Sequence, residues 1–175
     1  MIKGTTYDQQ ILLSADFRLM CWRFFNKQDG IVIGCGISTN TNNIVVSDGY
    51  FLISGGYIRI DGQEIIQAGA AGTKTLVFEI DLSKTNTAAA FNQGSWRFIT
   101  SNPRQDDLFA GGTIYQLPFS QITTNGSSVT AKTDLIKLLA SDFQAQIDNK
   151  QNRVTKGTAN PPVLADGEIY LQYKS

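Results

Sequence analysis

Three pairs of carboxylates lie close together along the chain: Asp61 with Glu64, Glu79 with Asp81, and Asp106 with Asp107. Two acids flanking a sugar bond can hydrolyse it, one protonating the leaving oxygen and the other activating water or attacking, provided that folding sets their separation. The 175 residues include no histidine, which removes the commonest general base, the usual hydrolytic triads and most catalytic zinc sites. Glu79 and Asp81 fall on the polar side of an alternating strand and read as solvated, while Asp106-Asp107 suits a loop tip. Neither an enzyme nor a catalytic residue is expected.

Phosphate and metal fingerprints also fail. In the run GAAGTKT, Thr73 separates Gly72 from Lys74, so the Gly-Lys-Thr step of a P-loop is missing. Gly34-Cys35-Gly36 lacks the third glycine of a dinucleotide turn. Both runs read as bends in or between strands. Cys21 and Cys35, the only two cysteines, give neither a disulfide framework nor zinc spacing and read as small buried hydrophobes. There is no EF-hand spacing, and a calcium site built from oxygens on separate loops stays open. No cofactor is expected.

Sugars are bound by aromatic faces and planar polar groups on β scaffolds, and Tyr50, Tyr57, Trp96 and Tyr115 are available for that. Trp22 and Trp96 each adjoin apolar runs and read first as core or interface. Tyr170 and Tyr173 suit a subunit contact, where one end of the ring is apolar and the other wet. Fifteen basic and fifteen acidic residues cancel, leaving no net field to recruit nucleic acid or an anionic membrane. The N-terminal apolar run is too short for the core of a signal peptide, and no stretch approaches a membrane span. The protein is expected to start in a cytoplasm.

The elements that would hold these residues are mostly strands. Few charges (17%) and 16 glycines point to many turns rather than long helices. Ser14 reads as an N-cap and Asp16 suits the first turn of a short helix, whose Phe17, Met20, Cys21, Phe24 and Phe25 form an apolar face that something must cover. Residues 26–30 end it. Strands are expected over residues 31–37, 44–46, 50–53, 57–60 and 64–66, with turns at Asp48-Gly49, Gly55-Gly56 and Asp61-Gly62. Residues 76–82 alternate with a period of two and have one wet face. Residues 95–100, 113–117, 119–123 and 127–130 complete the set, with Pro118 breaking or edging its strand and Asn125-Gly126 making a turn.

A second helix is expected to start near Thr133 or Asp134 and run to about Lys150, with Leu135, Ile136, Leu139, Phe143 and Ile147 as its apolar stripe. It either packs on its own sheet or meets copies of itself about a symmetry axis. The division expected is residues 1–130 as helix plus β domain, 131–152 as an amphipathic oligomerisation element, and 153–175 as an extended segment and strand. The fold class is thus mainly β: an antiparallel sandwich or barrel-like sheet with a short N-terminal helix and a C-terminal helix followed by a terminal strand.

The spelling of residues 157–175, GTANPPVLADGEIYLQYKS, resembles the closing segment of tail, baseplate and fibre proteins of tailed bacteriophages, particularly those of Gram-positive hosts. Three further stretches resemble the same family's upper-baseplate or tail-appendage modules, in the same order. They are Ser14-Ala15-Asp16-Phe17 with Asp29-Gly30-Ile31-Val32-Ile33-Gly34, then VSDGYFLISGGYIRIDG over residues 46–62, then Leu117-Pro118-Phe119-Ser120-Gln121-Ile122. The resemblance implies a virion structural protein, a scaffold or adaptor that assembles as a homo-oligomer, often a trimer, beside other phage structural proteins. It implies assembly inside the host cytoplasm. The expected contact residues are Leu135, Ile136, Leu139, Phe143, Ile147, Tyr170 and Tyr173. The alternative is a receptor module that recognises host cell-wall carbohydrate.

Overall fold

The computed structural model describes residues 14–87 and 89–139, all within one compact unit that ends at Leu139. Among the described residues it is mainly β, with three antiparallel sheets and one short helix. The helix α1, Ser14–Phe24, has Asp16 in its first turn and Arg23 in its last, as the helix dipole favours. Asn26 and Lys27 close it in left-handed backbone, with φ of 53° and 60°.

Six strands then form one bent meander. β1 (Gly30–Gly34), β4 (Gly49–Ile53) and β5 (Gly56–Ile60) make one sheet in the order β1-β4-β5. β2 (Ile37–Asn40), β3 (Asn43–Val46) and β6 (Glu64–Gln67) make the second in the order β2-β3-β6. The strand expected over residues 31–37 is therefore two strands in two sheets. The corner lies at Cys35-Gly36 and Ser47-Asp48, where the Cys35 N–H donates to the Asp48 carbonyl and the Ser47 N–H to the Gly36 carbonyl, both at 2.9 Å. Cys35 turns with φ 55° and Gly34 with φ 68°. A Cβ on Gly34 would collide with the Asp48 carbonyl, so the corner requires a glycine there. The β4–β5 turn is Ser54-Gly55, both with positive φ, and not Gly55-Gly56.

The third sheet has the order β10-β9-β7-β8, from β7 (Gly72–Asp81), β8 (Gly94–Ile99), β9 (Ile114–Thr124) and β10 (Val129–Asp134). Pro118 does not break β9. Pairing shifts between Leu76 opposite Ser120 and Val77 opposite Pro118, leaving Phe119 as a bulge. Pro118 stands beside that bulge and beyond the last residue paired with β10, where a missing N–H is tolerated. Leu76, Phe78, Ile80, Leu117, Phe119 and Ile122 from this sheet share one core with Ile44, Val46, Phe51 and Ile53 from the meander. At its centre Phe51, Phe78, Phe119 and Trp96 meet edge to face, with Phe51 and Phe78 centroids 5.0 Å apart and Trp96 and Phe119 4.7 Å apart.

The second helix does not begin at Thr133 or Asp134. Both residues end β10, opposite Gln121 and Ser120, and the N–H groups of Leu135 and Ile136 then bond the Phe119 carbonyl at 2.9 and 3.2 Å. Leu138 bridges Ile31 in parallel, so Leu135 and Ile136 lie on extended chain and share no helix face with Leu139. The domain boundary expected at residue 130 falls inside β10. The expected remainder of that helix and the terminal strand lie outside the described residues.

Candidate functional site

The only helix among the described residues is the element around which concave surface gathers. It does not dock through the face expected. Arg18 and Trp22 sit over the β4–β5 turn, where a Cβ on Gly55 would strike the Arg18 carbonyl and come within 2.9 Å of the Trp22 Cβ. Phe17, Met20 and Phe24 are instead 42%, 51% and 76% exposed, while Cys21 and Phe25 are half-buried, so the apolar face expected to be covered is covered along one side only. Trp22 also meets Phe109, ring centroids 6.0 Å apart.

Asp29, just past the helix, fastens this arrangement. One carboxylate oxygen accepts the Ser54 N–H and the other the Tyr115 hydroxyl, each at 2.6 Å. Burial raises the Asp29 carboxyl above its usual range, against the two hydrogen bonds, which lower it. Tyr115 is pushed well above a normal phenol by burial, then by its hydrogen bond to Asp29 and by that group's charge. The sequence marks Asp29-Gly30 only as a turn; tertiary folding supplies the partner Tyr115. Asn42 likewise gives no signal in the sequence: its side chain donates to the Gly69 and Gly126 carbonyls at 2.9 and 2.8 Å and accepts from the Thr124 hydroxyl at 2.6 Å. Asn42 thereby joins three turns.

The acids of β7 and of the 101–112 loop are committed to the scaffold. Glu79 is not solvated: it is 2% exposed and accepts from Arg97 Nη1 at 2.9 Å and Gln116 Nε2 at 2.7 Å. Val77 on the same side is fully buried, so the expected wet face of β7 is closed over this stretch. Asp81 receives the Ser83 N–H at 3.0 Å and the Ser83 hydroxyl. Asp106 takes a two-pronged contact from Arg104 at 2.9 and 2.6 Å, and that guanidinium first of all holds its carboxyl down at about 2. Asp107 accepts the Phe109 and Ala110 N–H groups at 2.9 and 3.2 Å, closing the loop tip. Asp61 pairs with Arg59 at 3.0 Å on the surface.

Of the aromatic residues considered for sugars, Trp96 belongs to the core cluster and Tyr115 is tied to Asp29. Tyr57 is 48% exposed and stacks on Tyr50 at 5.2 Å. Among the expected contact residues Leu135 is 44% exposed, Ile136 packs against the core and Leu139 is buried. Phe143, Ile147, Tyr170 and Tyr173 lie outside the described residues. Cys35 is buried as expected, its thiol pushed up to about 11 by burial and then by Asp48.

Two clefts flank α1. One, of about 500 Å³, is bounded by Phe17 and Arg18 of α1, by Tyr57 and Ile58 of β5, and by Phe91 and Gln93 of the β7–β8 connection. The other, of about 430 Å³, includes Trp22, Lys27, Asp106, Phe109 and Tyr115. No group of three or more Cys, Asp or Glu that could hold a metal ion occurs among the described residues. Nor is any helix among them long and apolar enough to cross a membrane. No protein-family model matches the chain, and no curated protein matches it.

Proposed function

We propose that the protein is a structural component of a tailed-bacteriophage virion, a scaffold or adaptor in a baseplate, tail appendage or fibre. Copies assemble symmetrically, with a trimer favoured, beside other phage structural proteins, after synthesis in the host cytoplasm. The observation that carries this is the open side of α1, where Phe17, Leu19, Met20 and Phe24 are 42%, 40%, 51% and 76% exposed. Large apolar side chains clustered at a surface mark contact sites, and an interface of ordinary size, about 1,200 Å² or more, holds copies together without a cofactor. The phage assignment is supported by the ordered resemblance of residues 14–34, 46–62, 117–122 and 157–175. The meander packed on the four-stranded sheet supports the finer description of the β domain as a sandwich, and the C-terminal helix and terminal strand belong to the same proposal.

Light scattering tests the assembly. The wild-type chain is expected at three times 19.2 kDa, and Met20→Asp with Phe24→Asp is expected to shift it toward the single mass. A wild-type chain that stays monomeric at high concentration overturns symmetric assembly. An oligomer unmoved by these changes, but broken by Phe143→Asp with Ile147→Asp, transfers the contact to the C-terminal region. A second function, recognition of host cell-wall carbohydrate, is favoured by one observation: the exposed face of Tyr57 in its stack on Tyr50. Binding to cell-wall polysaccharide that disappears in Tyr57→Ala, with the fold intact, would establish it.

A further inference from the structure

Gly56, Tyr57 and Ile58 are consecutive in β5, and all three line the cleft of about 500 Å³ beside α1. Neighbouring side chains on a strand point to opposite faces, so a cavity that touches three in a row runs along the strand's edge. β5 is an edge strand of its sheet, and among the described residues its backbone makes no hydrogen bond beyond its pairing with β4. Such an edge offers a row of N–H and C=O groups to another chain.

The walls narrow the chemistry. Phe17 and Phe91 are 42% and 48% exposed there. Arg18 also lines the cleft; it has no carboxylate partner among the described residues, and its guanidinium stands over the Phe109 ring at 5.7 Å. Burial lowers its pKa, the direction expected of a cation short of compensation. The amides at the rim are tied to each other and to the main chain. Asn86 Nδ2 donates to Gln93 Oε1 at 3.0 Å, the Gln93 N–H to Asn86 Oδ1 at 3.0 Å, and Gln93 Nε2 to the Lys84 carbonyl at 2.8 Å. A sugar needs several free, converging polar side chains; a polypeptide needs only a strand edge and pockets for alternate side chains.

We propose that this cleft docks an extended segment of a partner polypeptide, which adds a strand to β5 and places a carboxylate side chain, flanked by apolar ones, against Arg18. The proposal names the partner chemistry of the assembly role above and rests on it. Panning the immobilised full chain against a random peptide library is expected to enrich sequences that alternate apolar residues with one Asp or Glu. A synthetic consensus peptide should bind the wild type and lose about tenfold or more, about 1.4 kcal/mol, on either Arg18→Gln in the protein or acid-to-amide replacement in the peptide. The two changes together should cost little more than one, because both remove the same contact. Phe91→Ser, with the fold checked by circular dichroism, should weaken binding as well.

Enriched peptides that match residues 166–173 would make the partner a second copy of this chain. No enrichment, or peptides indifferent to both Arg18→Gln and their own acid, overturns the proposal. So does a tetragalacturonate probe that binds through Arg18 where peptides do not, since that would make the cleft a site for acidic sugars. A chain found in virions that enriches no peptide loses only the docking site. Peptide binding by a chain that is monomeric and missing from virions would defeat the assembly role alone.

Discussion

Removing the Tyr115 hydroxyl by Tyr115→Phe tests how Asp29 fastens α1 to the β domain. The carboxylate has two partners, the Tyr115 hydroxyl and the Ser54 N–H, each at 2.6 Å. A hydrogen bond to a charged group contributes about 1.5–3 kcal/mol, against about 0.5–1.5 kcal/mol for a neutral pair. Asp29 is raised above its usual range in the folded protein, chiefly by burial. The folded state thus holds the proton more tightly than the unfolded chain. Its contribution to stability is fully present below the unfolded pKa and is lost as pH rises through the folded one. Tyr115→Phe deletes a bond that favours the ionised form, so it lifts the folded pKa further, by about one unit for each 1.4 kcal/mol lost. The variant should therefore be less stable than wild type by roughly 2 kcal/mol at about pH 8, shrinking to roughly 1 kcal/mol or less at about pH 4. Urea unfolding at both pH values measures the gap, with an unchanged slope showing that only stability has moved. A gap of the same size at both would refute the assignment of Tyr115 as donor to an ionised Asp29.

Two further outcomes concern packing. Phe119→Ala empties a fully buried site at the centre of the aromatic cluster and should cost about 3–5 kcal/mol, read as a fall in the urea midpoint; a loss below about 1 kcal/mol would contradict that placement. Gly55→Ala puts a methyl against the Arg18 carbonyl at a backbone φ of 72°. It should loosen α1, seen as faster amide exchange over residues 18–25, while the core around Phe51 keeps its protection. Equal loss of protection in both places would show that the helix is not a separable layer.

Strands were legible where side chains alternate or turn residues interrupt them, as in β7 and the β4–β5 hairpin. What covers each face was not. The period of two in β7 marks Glu79 as opposite to Phe78, but only Arg97 from β8 and Gln116 from β9 explain why a carboxylate can be buried there. Pro118 carries a strong breaker signal that the Phe119 bulge defuses, and a bulge is a property of two paired strands rather than of one sequence. The stripe begun at Leu135 and Ile136 has helical spacing, yet their N–H groups are captured by the Phe119 carbonyl, so a tertiary contact overrides local preference. On α1 the aromatic spacing marks a helix but not its seat: the helix rests on Arg18 and Trp22 over Gly55, a position that only the folded hairpin creates. For the clefts, Phe17 and Tyr57 were in view as residue types, while Arg18 gave no sequence signal.

The corner in the meander has a mechanical consequence. Each of its three passes threads both half-sheets, so the frame of pairing in one half dictates the frame in the other. A slip by one residue between β3 and β6 would have to travel around the bend and also turn Phe51 or Ile58 inside out in the neighbouring half. The bend therefore works as a ratchet against misalignment. One closely fitted joint, at Gly34 and Gly49, keeps six short strands in step that would each be too brief to choose an alignment alone.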